Sequence, residues 1–208
     1  MIASALALLP LALSAVASPL PAADASESLG SWCQNLGPGA FDIANNFTLA
    51  AYNATGTNAN STGAPLVLGQ NGAIDGAEFK VLSTFASFPY NDFPSFTLTH
   101  GALHPNNAEN STIIDTAVAD GDQPGFLETI DAPPAAQIYC GVANTDPAGG
   151  GTGFPELAVN GDLNSFFLCS AGTYPGAQTN VVYKPDPNSD IYVYSSCYQV
   201  KLQMIGLF

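Results

Sequence analysis

The chain has 208 residues, 47% of them hydrophobic and 10% aromatic, enough to bury a core and too much for a disordered polymer. Only 10% are charged, and 17 carboxylates stand against 3 basic residues, giving a net charge of -14. That balance excludes a nucleic-acid partner, which needs clustered Lys and Arg, and disfavours an anionic lipid surface. The lysines are Lys80, Lys184 and Lys201, and there is no arginine.

Residues 1–17 are apolar, uncharged and rich in Leu and Ala, and they end in Ala15-Val16-Ala17. This is the form of a secretory signal cleaved before Ser18. Pro19 and Pro21 break the run too early for a membrane span. Residues 18–31 are small and polar and read as a flexible arm. Residues 32–208 then form one globular domain of usual size.

From Trp32 onward, short apolar runs recur between Gly, Pro and Asn, and they are rich in Val, Ile, Thr, Phe and Tyr. Such runs predict strands. In chain order they cover 42–52, 65–69, 78–87, 95–103, 112–119, 125–131, 137–142, 156–159, 165–170, 179–184 and 190–207. Two tight turns are predicted, at Gln70-Asn71-Gly72 and at Asn160-Gly161, because Asn-Gly supplies the positive φ of a type I′ turn. Gly149-Gly150-Gly151 reads as a loop. In the last run Val200, Leu202 and Met204 face one side while Lys201 and Gln203 face the other. The run from Val200 to Phe208 is apolar, but it lacks the polar spacer of a lipid-anchor signal and reads as a final core strand. About ten or eleven short strands in one domain predict an all-β fold, a β-sandwich or a barrel.

Cys33, Cys140, Cys169 and Cys197 are an even set in an exported chain, so two disulfides are expected. Of the three connectivities, Cys140–Cys169 with Cys33–Cys197 is the favoured one, since the second tie would pin both ends of the domain. No C-x-x-C spacing points to zinc or redox chemistry. Four N-glycosylation sequons start at Asn46, Asn53, Asn60 and Asn110. The first three fall within 17 residues, which would load one face with sugar.

The candidate chemistry is thin. Ile113-Ile114-Asp115-Thr116-Ala117 is similar to the active segment of aspartic proteases, but Ala117 replaces the Gly and no second copy follows, so it reads first as a strand with one polar position. Asp120, Asp122 and Glu128 offer oxygens to calcium without the spacing of an EF-hand loop. His100 and His104 are two ligands at most, a poor metal site. No nucleophile elbow, dinucleotide or P-loop pattern occurs. A carboxylate pair for glycoside hydrolysis would be sought at Glu78 and Asp92, buried beside Phe79, Phe85, Phe88, Tyr90, Phe93 and Phe96. Tyr192 and Tyr194, two apart, would share a strand face and could stack on sugar rings or a protein partner. No catalytic residue, metal or cofactor is assigned.

Phe126-Leu127, the stretch from Asp131 to Tyr139, Leu157-Ala158-Val159-Asn160-Gly161, Phe166-Phe167-Leu168-Cys169, Val181-Val182-Tyr183 and Cys197-Tyr198-Gln199-Val200-Lys201-Leu202 form an ordered pattern. It resembles small secreted fungal glycoproteins of the phialide-associated cell wall protein type. The resemblance implies an all-β extracellular or wall-bound protein without a catalytic centre, with wall polysaccharide or another wall protein as partner. The alternative from the residues is an extracellular polysaccharide hydrolase using two carboxylates.

Overall fold

The computed structural model describes residues 29–107, 112–144 and 153–206. The signal at 1–17, most of the arm, the Asn110 sequon and Gly149-Gly150-Gly151 lie outside these residues. The described chain forms thirteen strands: β1 Ala40–Phe41, β2 Ile43–Asn53, β3 Ala64–Ile74, β4 Ala77–Thr84, β5 Ser95–Thr99, β6 Ala102–Asn106, β7 Ile113–Asp115, β8 Gly125–Thr129, β9 Tyr139–Val142, β10 Glu156–Val159, β11 Phe166–Ser170, β12 Thr179–Tyr183 and β13 Tyr198–Ile205. Single 3-10 turns occur at Ser31–Cys33 and Tyr194–Ser196.

Six strands close into a barrel in the order β2-β13-β11-β12-β4-β3, with β3 returning to β2. All of these pairings are antiparallel. The predicted alternation of β13 is observed: Val200, Leu202 and Met204 are fully buried in the core. Leu49 pairs with Met204, Ala51 with Leu202 and Phe166 with Val200, so these side chains point to one interior. Leu66, Leu68, Leu82, Leu168 and Val181 complete it. A barrel this small is filled by its own side chains.

Two arms extend the barrel. β5 and β6 continue from β2, and β8 and β7 continue from β4. Phe96 meets Phe47 and Phe126, each at a ring separation of 6.2 Å, so the arms share a second layer of core. Leu103 on β6 donates its N–H to Asp115 Oδ2 on β7 at 2.9 Å, joining the arms directly. β1, β9 and β10 form a third extension that reaches β13 through Glu156↔Gln203.

The expected disulfide pairing is corrected. Cys33 joins Cys140 and Cys169 joins Cys197, with sequence separations of 107 and 28. Each tie clamps an irregular segment to a sheet face. Cys33 and Cys140 sit with Ala158, Trp32 and Leu36; Cys169 and Cys197 sit with Val182 and Tyr192. On chain-entropy grounds the two closures stabilise by about 5 and about 3.5 kcal/mol.

Three predicted elements also change. Residues 95–103 are not one strand but a hairpin, turning at His100 and Gly101 with φ of 48° and 83°. A Cβ on Gly101 would lie 2.5 Å from the Trp32 indole, so packing as well as φ demands glycine there. Asn71-Gly72 is a bulge inside β3, with a register shift between Gln70 and Ala73, and the chain reverses later, at Gly76. The run from Asp190 to Leu207 is a strand only over Tyr198–Ile205. Asn160-Gly161 does form its tight turn, with φ of 52° and 75° and mutual Val159–Asp162 backbone bonds.

Candidate binding groove

The β3–β4 hairpin runs past the barrel and lies beside β8. Between the hairpin tip and the end of β8 is an open groove of about 540 Å³, lined by Ile74, Ala77, Glu78, Thr112, Glu128 and Ile130 among others. Its rim is apolar and wet: Ile74 is 65% exposed and Ile130 91%. Thr129 Oγ1 donates to the Gly76 carbonyl at 3.1 Å and holds the tip against β8.

Strand geometry assembles the charged wall of this groove. Glu78 and Lys80 are two apart on β4 and therefore share a face. Glu128 on β8 sits directly opposite Glu78. Two like charges in that position repel, and Lys80 resolves the conflict. Its Nζ lies 2.5 Å from Glu78 Oε2 and 3.4 Å from Glu128 Oε2. Burial opposes the Lys80 charge, but the hydrogen bond it donates to Glu78 and the charges of the two carboxylates outweigh it and raise its pKa. The Lys80 hydrogen bond and charge hold the Glu78 carboxyl below its ordinary value.

The sequence candidates fall out as follows. Glu78 and Asp92 are both exposed rather than buried, and Asp92 does not line the groove. Asp120 pairs with Lys184 at 3.1 Å, Asp122 accepts from the Ala119 N–H at 2.8 Å, and Glu128 faces Lys80. The calcium trio is thus dispersed, and among the described residues no three His, Cys, Asp or Glu gather around a point. His100 occupies its turn, and His104 is half-buried on β6.

Tyr192 and Tyr194 do not share a strand face. Tyr192 is buried with Cys169 and Val182, and its hydroxyl accepts the Asp186 N–H at 2.7 Å. Tyr194 is exposed in the 3-10 turn. The chain between β12 and β13 leaves the sheet to cover β11, which removes the alternation their spacing implied.

Asn46 is exposed at the bulge of β2 with φ of 51°. Asn53 ends β2, and Asn60 is exposed in the loop before β3. Asn60 Oδ1 accepts from the Thr62 N–H and hydroxyl at 3.0 and 2.9 Å, so this sequon is folded into an Asx turn.

Asp115 is sealed in the core, fully buried. Burial pushes its carboxyl up to about 7, against the opposing hydrogen bond that its Oδ2 accepts from the Leu103 N–H. Among the described residues its Oδ1 has no hydrogen-bond partner, nor has the buried hydroxyl of Tyr139. Burial, and then the Asp115 charge, raises the Tyr139 pKa. Among the described residues no His, Cys, Asp or Glu cluster of three gathers at Asp115, and its pKa is shifted by no neighbouring carboxylate.

Sequence reasoning passed over Lys80. The signal was its rarity: with 3 basic residues among 17 carboxylates, each lysine finds an acid, Lys80 with Glu78 and Glu128, Lys184 with Asp120 and Lys201 with Glu156. No known family, curated protein or solved structure matches this chain. Among the described residues no helix is long and apolar enough to cross a membrane.

Proposed function

We propose that this protein is a secreted, N-glycosylated domain of the extracellular surface or cell wall. It binds wall polysaccharide or another wall protein and performs no catalysis. The observation that carries this reading is the groove beside the β3–β4 hairpin, where Ile74 and Ile130 stand in solvent on the same lining as Glu78 and Glu128. Exposed apolar side chains rimmed by polar groups are a usual contact surface. Two disulfides and the secretory form of residues 1–17 support export.

The hydrolase reading has less support. It needs one carboxyl kept protonated as general acid, and Lys80 moves Glu78 in the opposite direction.

The test is binding of the mature, glycosylated protein to insoluble chitin, β-glucan and whole fungal wall, with soluble sugar assayed in the same tubes. Retention without release is expected. An Ile74→Asp, Ile130→Asp double variant should lose about tenfold in affinity, or about 1.4 kcal/mol. Sugar release, or retention indifferent to that variant, would overturn the reading.

A further inference from the structure

Lys201 lies at a seam in the sheet. One edge of β13 pairs with β2 from Val200 to Ile205. The other edge pairs first with β11, as Phe166↔Val200, and then with β10, as Glu156↔Gln203. Lys201 falls between these two registers, and its side chain points away from the barrel interior. It therefore reaches both neighbours: Nζ donates to Asn164 Oδ1 at 2.5 Å and to Glu156 Oε2 at 3.2 Å.

The partners are held in place. The Glu156 side chain is only 8% exposed, and its other oxygen accepts from Asn144 Nδ2 at 2.6 Å. The Asn164 N–H donates to Asp162 Oδ1 at 2.7 Å, and its carbonyl accepts from Gln199 Nε2 at 2.6 Å. Gln203, next along the same face, is fully buried, and among the described residues neither of its amide atoms has a hydrogen-bond partner. Glu156 is thus the enclosed member of the cluster, and Asn164 stands on its exposed side.

An amine in contact with both a side-chain amide and a carboxylate brings together the nucleophile, the acyl group and the proton acceptor that amide transfer requires. We propose that Lys201 and Asn164 become joined by an isopeptide bond, with Glu156 as the proton carrier. The Lys201 ammonium gives a proton to Glu156. The freed Nζ lone pair attacks Asn164 Cγ, the Nζ–Cγ bond forms, and the carbonyl electrons move to Oδ1. Glu156 returns its proton to Nδ2. The carbonyl re-forms, the Cγ–Nδ2 bond breaks, and ammonia departs. Nζ sheds one more proton on becoming an amide nitrogen, which the ammonia carries away as ammonium. Ammonium and primary amide go in, secondary amide and ammonium ion come out, and no oxidant or co-reactant is needed. The bond would lock β13 to the entry of β11, and it does not depend on the wall-binding reading.

The experiment is intact mass spectrometry of the mature protein after reduction and deglycosylation, followed by trypsin digestion. The expected mass is one ammonia below that of the sequence, with no cleavage at Lys201-Leu202 and a branched fragment linking Lys201 to Asn164. Asn164→Ala and Lys201→Arg should each restore the full mass. Glu156→Gln, which keeps both joined residues, should also appear at full mass. A wild-type protein at full mass and freely cleaved at Lys201 would overturn the proposal, whatever the variants do. So would a deficit that maps elsewhere, such as a succinimide at Asn160-Gly161. A deficit that persists in Glu156→Gln would remove Glu156 from the step.

Discussion

At the groove, Lys80 meets two carboxylates side by side on neighbouring strands, and one of them, Glu78, has 55% of its side chain in water. At the seam, Lys201 meets Glu156, whose side chain is 8% exposed. The two clusters share the same chemistry and similar distances. They differ in what covers the carboxylate. Glu156 lies on the face of β10 that also carries Ala158, and Ala158 is packed under the segment held by Cys33–Cys140. Glu78 stands in the open groove beside the hairpin tip, with Glu128 opposite it. One pair is therefore screened by solvent and tolerant of change, while the other stands where an unpaired charge has nowhere to go.

Asp115 extends the comparison to a buried carboxyl that, among the described residues, has no ion pair. It shares a face with Lys80, the two flanking Phe126 across β4, β8 and β7, but Lys80 turns its charge outward to Glu78 and Glu128. The folded pKa of about 7 lies above the ordinary carboxyl value of 3.8. The folded state thus binds the proton more tightly. Its contribution is fully present below pH 4 and is lost as pH rises to 7. The loss amounts to about 4 kcal/mol. Urea denaturation of the wild type and of Asp115→Asn at pH 4 and pH 8 should show that gap opening with pH. Comparing the two cancels the self-repulsion of the other acids. Parallel curves would mean that the Asp115 carboxyl is hydrated.

The next largest effect belongs to the closed cluster. Glu156→Ala leaves Lys201 half-enclosed without its acid and should destabilise by about 3 kcal/mol, with little dependence on salt, read from the urea midpoint. The smallest belongs to the open one. Glu78→Ala leaves Glu128 still beside Lys80, and the cost should stay below about 1 kcal/mol and fade in high salt. Equal costs for the two substitutions would erase the distinction between open and closed clusters.

Much of the β architecture was legible in the residues. The alternation of Val200, Leu202 and Met204 marked the core face of β13, because side-chain direction in a strand repeats every two residues whatever surrounds it. The Asn160-Gly161 turn was legible for the same reason: its positive φ values are a local demand met by those two residue types. Asn71-Gly72 has the same chemistry and became a bulge, because the β3–β4 ladder continues past it to Ala73 and Ile74. A positive φ is permitted at both places, and only the pairing beyond decides between turn and bulge. The candidate groove was barely legible. Glu78 was singled out, but as a buried acid rather than as an exposed partner of Lys80.

The sequence by itself determined that this chain builds strands, where the strands alternate, and that its four cysteines are even in number. Each of these depends on a residue and its near neighbours. The tertiary structure alone decided that Cys33 meets Cys140, that β2 and β13 close a barrel, and that Lys201 stands between Glu156 and Asn164. Those contacts join residues 37 to more than 100 positions apart. They are set by the register of strands whose pairing is worth forming only when the whole core closes around them.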